Sequence, residues 1–141
     1  MSVDLNHMII PAKDHRASAR FLADILGVKV GKDWGPFVPL STGNGVIIDF
    51  ADAGERAIRS MHCAFLVSDA EFDAALARVK AAGIRFYAEF DDSGPGEINR
   101  LYGGRGFYFH DPNGHLFELI TKPYGETPEF WVNGAAVKRR S

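Results

Sequence analysis

The chain has 141 residues and a net charge of -2, and 46% of its residues are hydrophobic. This composition predicts one soluble globular domain, which we place at residues 1–125, followed by a C-terminal tail at 126–141. Basic residues cluster only at 138–140, so the charge pattern argues against nucleic-acid binding.

Membrane and secretory classes are also disfavoured. No apolar run approaches the roughly 20 residues needed to cross a bilayer. Residues 1–5 lack the basic and apolar regions of a signal peptide. Cys63 is the single cysteine, which excludes an intrachain disulfide. We therefore expect a cytoplasmic protein without a membrane partner.

A first module, at about residues 5–52, begins with a strand-like run that contains His7. Asp14 follows as a candidate N-cap of a helix, whose apolar stripe ends at Gly27. Three shorter strand-like runs come next, at 28–30, 36–40 and 46–50.

A second module, at about residues 60–121, repeats this order. His62 opens an equivalent run, and Asp69 follows it by seven residues as Asp14 follows His7, so Asp69 is the candidate N-cap of the second helix. Its helix ends at Gly83, and strand-like runs follow at 84–87, 106–109 and 116–121. The internal repeat predicts two similar units.

One long segment, residues 91–104, has no counterpart in the first module. It is rich in glycine, and loops of this length are either functional lids or disordered insertions. Both readings remain open from the sequence.

Three polar residues interrupt the apolar strands: His7, His62 and Glu118. A buried carboxylate is costly unless it is paired or binds a metal. Two histidines and one carboxylate form a facial triad, which leaves coordination positions of a metal open for substrate and oxygen. We predict that these three residues are metal ligands.

Asp49 is the repeat partner of Glu118 when Gly45 is aligned with Gly114. It could be a distant ligand, a hydrogen-bond partner of a ligand or of water, or a base for the substrate. We favour the last two roles over direct ligation.

The paired modules with this triad resemble the vicinal oxygen chelate superfamily, which includes glyoxalase I, bleomycin-resistance proteins, fosfomycin-resistance enzymes and extradiol dioxygenases. Several short motifs are similar to a dioxygenase-like subgroup named for a chartreusin-pathway enzyme. These motifs are Trp34-Gly35-Pro36-Phe37, Pro95-Gly96-Glu97-Ile98-Asn99, residues 104–109 and residues 111–115.

The resemblance implies an α+β fold in which two βαβββ modules form an open, curved mixed sheet. It implies the same ligands, His7, His62 and Glu118, around a divalent metal. Fe(II) is the first expectation, with Mn, Ni or Zn as alternatives. It also implies a homodimer.

Tyr108 precedes Glu118 by ten residues, the offset of an active-site tyrosine in the extradiol enzymes. A four-residue hairpin loop would place Phe107 across from Glu118, whereas a five-residue or bulged loop would bring Tyr108 to that face.

His15, His110 and His115 are expected to be solvated and structural.

The leading hypothesis is a ring-cleaving, extradiol-type dioxygenase that takes a small aromatic, catechol-like or polyketide substrate and dioxygen, with Tyr108 and Asp49 handling protons. Two alternatives remain. One is a glyoxalase-type isomerase or resistance transferase with a redox-inert metal. The other is a drug-binding protein without catalysis.

Overall fold

The structure is a computed structural model that describes residues 3–123. The predicted tail at 126–141 lies outside the described residues, and the predicted domain limits of 1–125 stay a prediction. The helices and strands in chain order are β1 (His7–Ala12), α1 (His15–Leu26), β2 (Phe37–Ser41), β3 (Ile47–Asp52), β4 (His62–Leu66), α2 (Asp69–Ala81), β5 (Gly106–His110) and β6 (Leu116–Ile120). Within this part of the chain no helix is long and apolar enough to cross a membrane.

The described chain divides into two compact units. Unit 1 contains the residues up to Met61 together with Asp111–His115, and unit 2 contains His62–His110 and the residues from Leu116 onward. Each unit has a three-stranded mixed sheet and one long helix.

In unit 1 the sheet order is β1-β3-β2, with β1 parallel and β2 antiparallel to β3. Asp14 caps α1 by accepting hydrogen bonds from the backbone N–H groups of Arg16 and Ala17. Gly27 ends the helix with a φ of 72°, a conformation that glycine adopts without steric cost. The helix packs on the sheet face that carries the buried Ile48 and Phe50.

In unit 2 the order is β4-β6-β5, again with one parallel and one antiparallel pair. Phe72 of α2 packs edge-on against Phe107 of β5, with ring centroids 5.3 Å apart. The helix therefore covers the face that carries Phe107, Phe109 and Phe117, all fully buried. These phenylalanines form the core of the unit.

The repeat extends to the strand register. Ile9, two residues after His7, is paired with Asp49, and Ala64, two residues after His62, is paired with Glu118. The α+β fold class with two βαβββ modules is confirmed.

Two local predictions are corrected. The runs at 28–30 and 84–87 are reduced to isolated bridges, Val30 with Leu40 and Tyr87 with Tyr108. The N-cap of α2 is Ser68 and not Asp69, because the Ser68 hydroxyl accepts from the Glu71 N–H while the Glu71 carboxylate accepts from the Ser68 N–H.

The segment at 91–104 is an ordered loop. The Asn99 side chain, which is buried, donates to the carbonyl oxygen of Ala88 at 2.8 Å, and the backbones of Asn99 and Gly106 form two hydrogen bonds. A short 3-10 turn, Leu101–Gly103, follows. Hydrogen bonds to residues on both sides of the segment thus hold the loop in place, which disfavours the reading as a disordered insertion.

Candidate functional site

Unit 2 presents a polar sheet face opposite its helix. Paired residues of neighbouring strands place their side chains on the same face. Glu118 lies between Ala64 and Tyr108, and the next row of the same face contains His62, Leu116 and His110. Cys63 belongs to the other face, where burial raises the pKa of its thiol. The cysteine is therefore a poor metal ligand.

His62 and Glu118 are in direct contact, with Nε2 and Oε1 3.2 Å apart. The Nδ1–H of His62 donates to the carbonyl oxygen of Leu116 at 2.9 Å, because a carbonyl can only accept. A neutral His62 therefore directs the lone pair of Nε2 toward the carboxylate. Two lone pairs at this distance repel unless a proton or a metal ion lies between them.

This pair fits a divalent metal. Ligand atoms about 2.1 Å from a metal and at right angles are roughly 3 Å apart, close to the observed separation. The Nδ1–H bond to a backbone carbonyl is the usual arrangement that fixes the ring of a metal-binding histidine. Glu118 is buried, whereas half of the His62 side chain is exposed, which leaves an approach from solvent.

Tyr108 lies on the same face as Glu118. The loop between His110 and Leu116 has five residues, and the resulting register pairs Tyr108 with Glu118. The Tyr108 ring stacks on the ring of His62 at a centroid distance of 6.0 Å. The five-residue loop therefore places Tyr108, and not Phe107, on the same face as Glu118.

Unit 1 has an equivalent face with His7 and Asp49. Because Ile9 is paired with Asp49, His7 lies on the same sheet face as this carboxylate, opposite α1. The Nδ1 of His7 is 2.7 Å from Oδ1 of Asn6, so this nitrogen donates and Nε2 keeps its lone pair. His7 and His62 therefore present the same ring nitrogen.

Asp49 is 2% exposed, and its Oδ1 accepts a hydrogen bond of 3.0 Å from Nε1 of Trp34. Among residues 3–123, no lysine, arginine or histidine forms an ion pair with it. The carboxylate is thus buried beside a neutral donor.

The sequence profile of the Glyoxalase/Bleomycin resistance protein/Dioxygenase superfamily matches residues 4–119. The chain belongs to this superfamily.

Two solved structures are similar to this chain over most of both chains. Oxidase ChaP-H2 is 51% identical with a TM-score of 0.85, covering 89% of this chain and 98% of its own. Oxidase ChaP-H1 is 48% identical with the same TM-score, covering 88% and 99%. The predicted likeness to the chartreusin-pathway subgroup is confirmed.

Resistance enzymes are more distant relatives. The glutathione transferase FosA of Serratia marcescens is 26% identical over 124 residues, which are 84% of this chain and 81% of the relative. The fosfomycin resistance protein FosX of Mesorhizobium loti is 25% identical with a TM-score of 0.65, covering 87% and 95%.

Unit 1 contains a second group of ligand-type side chains that the sequence pattern did not predict. Asp14, His15 and Asp52 place their ligand atoms within 4.8 Å of one another. However, Asp14 caps α1, and Asp52 accepts the backbone N–H of His15 at 2.9 Å. Both carboxylates thus have structural roles at the helix start. A cleft of about 440 Å³ adjoins the group, and it is lined by Ile9, His15, Pro36, Phe37, Ala51, Asp52 and Arg56.

The expectation for His115 is wrong in one respect. The residue is structural but fully buried rather than solvated. Its Nδ1 accepts from the Met61 N–H at 3.0 Å, and its Nε2–H donates to the carbonyl oxygen of Pro11 at 2.7 Å. The histidine therefore connects the turn at 111–115 to the rest of unit 1.

Proposed function

We propose that the chain is a metal-dependent, dioxygenase-type oxidoreductase that acts on a small aromatic, catechol-like or polyketide substrate with dioxygen. The similarity to the two oxidases supports this class. The observation that carries the proposal is the contact of His62 with Glu118, in which Nδ1 is used by a carbonyl and Nε2 faces the carboxylate.

His7, His62 and Glu118 would hold the metal, with Fe(II) as the first choice and Mn, Ni or Zn as alternatives. The bound ion would act as a Lewis acid and allow electron transfer between substrate and dioxygen. The matching tautomers of His7 and His62, each with Nε2 available, support this ligand set.

Tyr108 and Asp49 would handle the substrate and its protons. The Tyr108 ring, stacked on His62, places its phenol on the face of Glu118, where it can orient a substrate oxygen or exchange a proton with it. Asp49 would accept a proton or hold water, since its only hydrogen bond to a described side chain comes from a neutral indole.

A second candidate is a resistance transferase or glyoxalase-type isomerase with a redox-inert metal. The 26% identity to the FosA glutathione transferase favours this reading. It shares the metal site and differs in that no oxygen is consumed. A protein that binds no metal would instead fit a drug-binding role.

Metal analysis tests the ligand set. Removing one of three ligands leaves too few to hold the ion, so His7→Ala, His62→Ala and Glu118→Ala should each lose metal after anaerobic loading and desalting. His15→Ala is the matched control, because it removes a histidine from the second group while leaving the triad, and it should retain metal. Parent-like metal content in all three triad variants would exclude this ligand set.

Oxygen uptake tests the reaction class. The iron-loaded protein should consume dioxygen with a member of a catechol and polyketide panel. Tyr108→Phe should lower turnover by roughly 10²-fold with unchanged metal content, as expected for a group that transfers a proton. Activity without oxygen uptake would favour the transferase or isomerase. A parent-like rate in Tyr108→Phe would remove Tyr108 from the mechanism.

A further inference from the structure

A second histidine–carboxylate pair lies on the site face of unit 2 and is outside the ligand set. His110, the last residue of β5, is paired with Leu116, which is paired on its other side with His62. Neighbouring strands are about 4.8 Å apart, so the backbones of His110 and His62 are separated by roughly 10 Å across Leu116. A substrate that is bound at His62 and Glu118 and spans roughly 10 Å along this face would reach the His110 ring.

Asp92 orients this ring. Its Oδ1 is 2.8 Å from Nε2 of His110. Because a carboxylate only accepts, Nε2 carries the hydrogen and Nδ1 keeps its lone pair. Among the described residues Nδ1 has no hydrogen-bond partner, and 40% of the side chain is exposed. Nδ1 of His110 is therefore an accessible base, and the Asp92 carboxylate binds the opposite nitrogen of the ring.

The loop holds Asp92 in an unusual conformation. Its φ is 68°, in the left-handed region that is uncommon outside glycine, although Asp and Asn adopt it more often than most residues do. The surrounding hairpin is fixed by the hydrogen bonds Ala88 N–H to Gly94 O at 3.0 Å and Glu89 N–H to Ser93 O at 3.1 Å. The rings of Tyr87 and His110 pack edge to face, and the backbone of Tyr87 is bridged to that of Tyr108 in β5. Backbone strain that directs a side chain to one partner is typical of functional sites.

We propose that His110 is a further catalytic residue, which accepts the proton of a substrate hydroxyl, and that Asp92 is its positioning residue. This inference rests on the proposed function. The hydroxyl O–H bond of a catechol-like substrate breaks, its electron pair stays on the oxygen, and an N–H bond forms at Nδ1. The carboxylate of Asp92 balances the charge of the resulting imidazolium.

The alternative is that His110 only fastens the loop. His110→Gln separates the two roles, because the glutamine amide can still donate to Asp92 but cannot accept the proton. Asp92→Asn keeps the shape of the partner and removes its charge. Asp91→Asn is the matched control, since this neighbouring carboxylate is exposed and accepts hydrogen bonds from Ser93 rather than from His110.

Two measurements on the iron-loaded proteins test the inference. The first is anaerobic binding of 4-nitrocatechol, whose colour reports its ionisation. We expect His110→Gln to bind it with parent-like affinity but in a less ionised form. The second is oxygen uptake with a substrate of the panel. We expect kcat to fall about 10²-fold in His110→Gln and about 10-fold in Asp92→Asn, with KM and metal content unchanged and with Asp91→Asn like the parent.

The outcomes distinguish this inference from the proposed function. Parent-like ionisation and kcat in His110→Gln would overturn the role of His110 alone. A parent protein that takes up metal but no oxygen would overturn both proposals. Should His110→Gln fail to fold, Asp92→Asn still decides, because it leaves the ring in place, and a parent-like kcat there would overturn the role of the pair.

Discussion

Asp49 combines burial, a neutral hydrogen-bond donor and a position equivalent to that of Glu118. Burying a carboxylate is costly unless a cation or a proton balances its charge. Trp34 supplies a hydrogen bond but no charge. The residue therefore has the features of a group that works beside a metal or a substrate rather than those of a core residue.

We predict that Asp49→Asn weakens metal affinity or activity by about 10–100-fold, as expected for a group that hydrogen-bonds to a ligand or to bound water and does not contact the metal itself. The substitution keeps the size of the side chain and removes its charge. Metal titration beside Glu118→Gln provides the comparison, and Trp34→Phe, which removes the donor to Asp49 together with part of the indole ring, should give a smaller loss. An affinity loss in Asp49→Asn equal to that of Glu118→Gln would identify Asp49 as a direct ligand.

At the residue scale, the repeat is what made the candidate site predictable. His7, His62, Asp49 and Glu118 are recognisable because each stands at an equivalent place in two copies. His110 and His115 have no such signal. Their partners are 18 and 104 residues away in the chain, so only the folded structure brings them together.

At the scale of elements, the β5–β6 hairpin shows why the sequence left Tyr108 undecided. The turn at 111–115 suits loops of either four or five residues. In the structure, Oδ1 of Asp111 accepts the N–H groups of Asn113 at 2.9 Å and His115 at 2.8 Å. Gly114 follows with a φ of 89°. These side-chain hydrogen bonds fix the five-residue loop, and the loop in turn directs Tyr108 to the face of Glu118.

The capping box of α2 gives an element-scale prediction. Ser68→Ala removes the hydroxyl that accepts the Glu71 N–H and should lower the free energy of unfolding by about 1 kcal/mol. Urea unfolding at neutral pH measures this change. Ser60→Ala, at an exposed position outside the helices and strands, is the control. Equal midpoints for the two variants would contradict the role of the cap.

The same box has a pH dependence. Hydrogen bonds with Ser68 hold the pKa of Glu71 below its ordinary value. A carboxylate with a lowered folded pKa stabilises the fold above its unfolded pKa, and this contribution is lost as the pH falls through the folded value. The part of the cap that depends on Glu71 should therefore be present at neutral pH and disappear in acid.

At the scale of the whole molecule, we predict a homodimer. β1 and β4 are edge strands of their sheets, and each carries an exposed apolar side chain, Ile9 and Leu66 respectively. Exposed edges with apolar residues favour association. Light scattering should give twice the chain mass of 15.5 kDa. A monomer at micromolar concentration would contradict this prediction.

The internal repeat predicts two units but not their boundaries in the chain. Unit 1 includes the turn at 111–115, which lies in the sequence of the second module. There His115 binds Pro11 and Met61, while the Asn113 side chain accepts from the Lys13 N–H and donates to Ser18. Sequence similarity between modules cannot reveal this exchange, because the residue equivalent to His115 in the first module is Val46, whose side chain cannot form hydrogen bonds.

This exchange affects how the chain folds during synthesis. A nascent chain that has emerged only as far as Met61 has the strands and helix of unit 1 but lacks the turn that completes its hydrogen bonds. The Met61 N–H and the Pro11 carbonyl can form their hydrogen bonds to His115 only after the ribosome has added this residue, 54 positions after Met61. Contacts of such long sequence separation slow folding. We therefore expect the N-terminal half to complete its fold only after His115 has been added, although its sequence reads as a complete module.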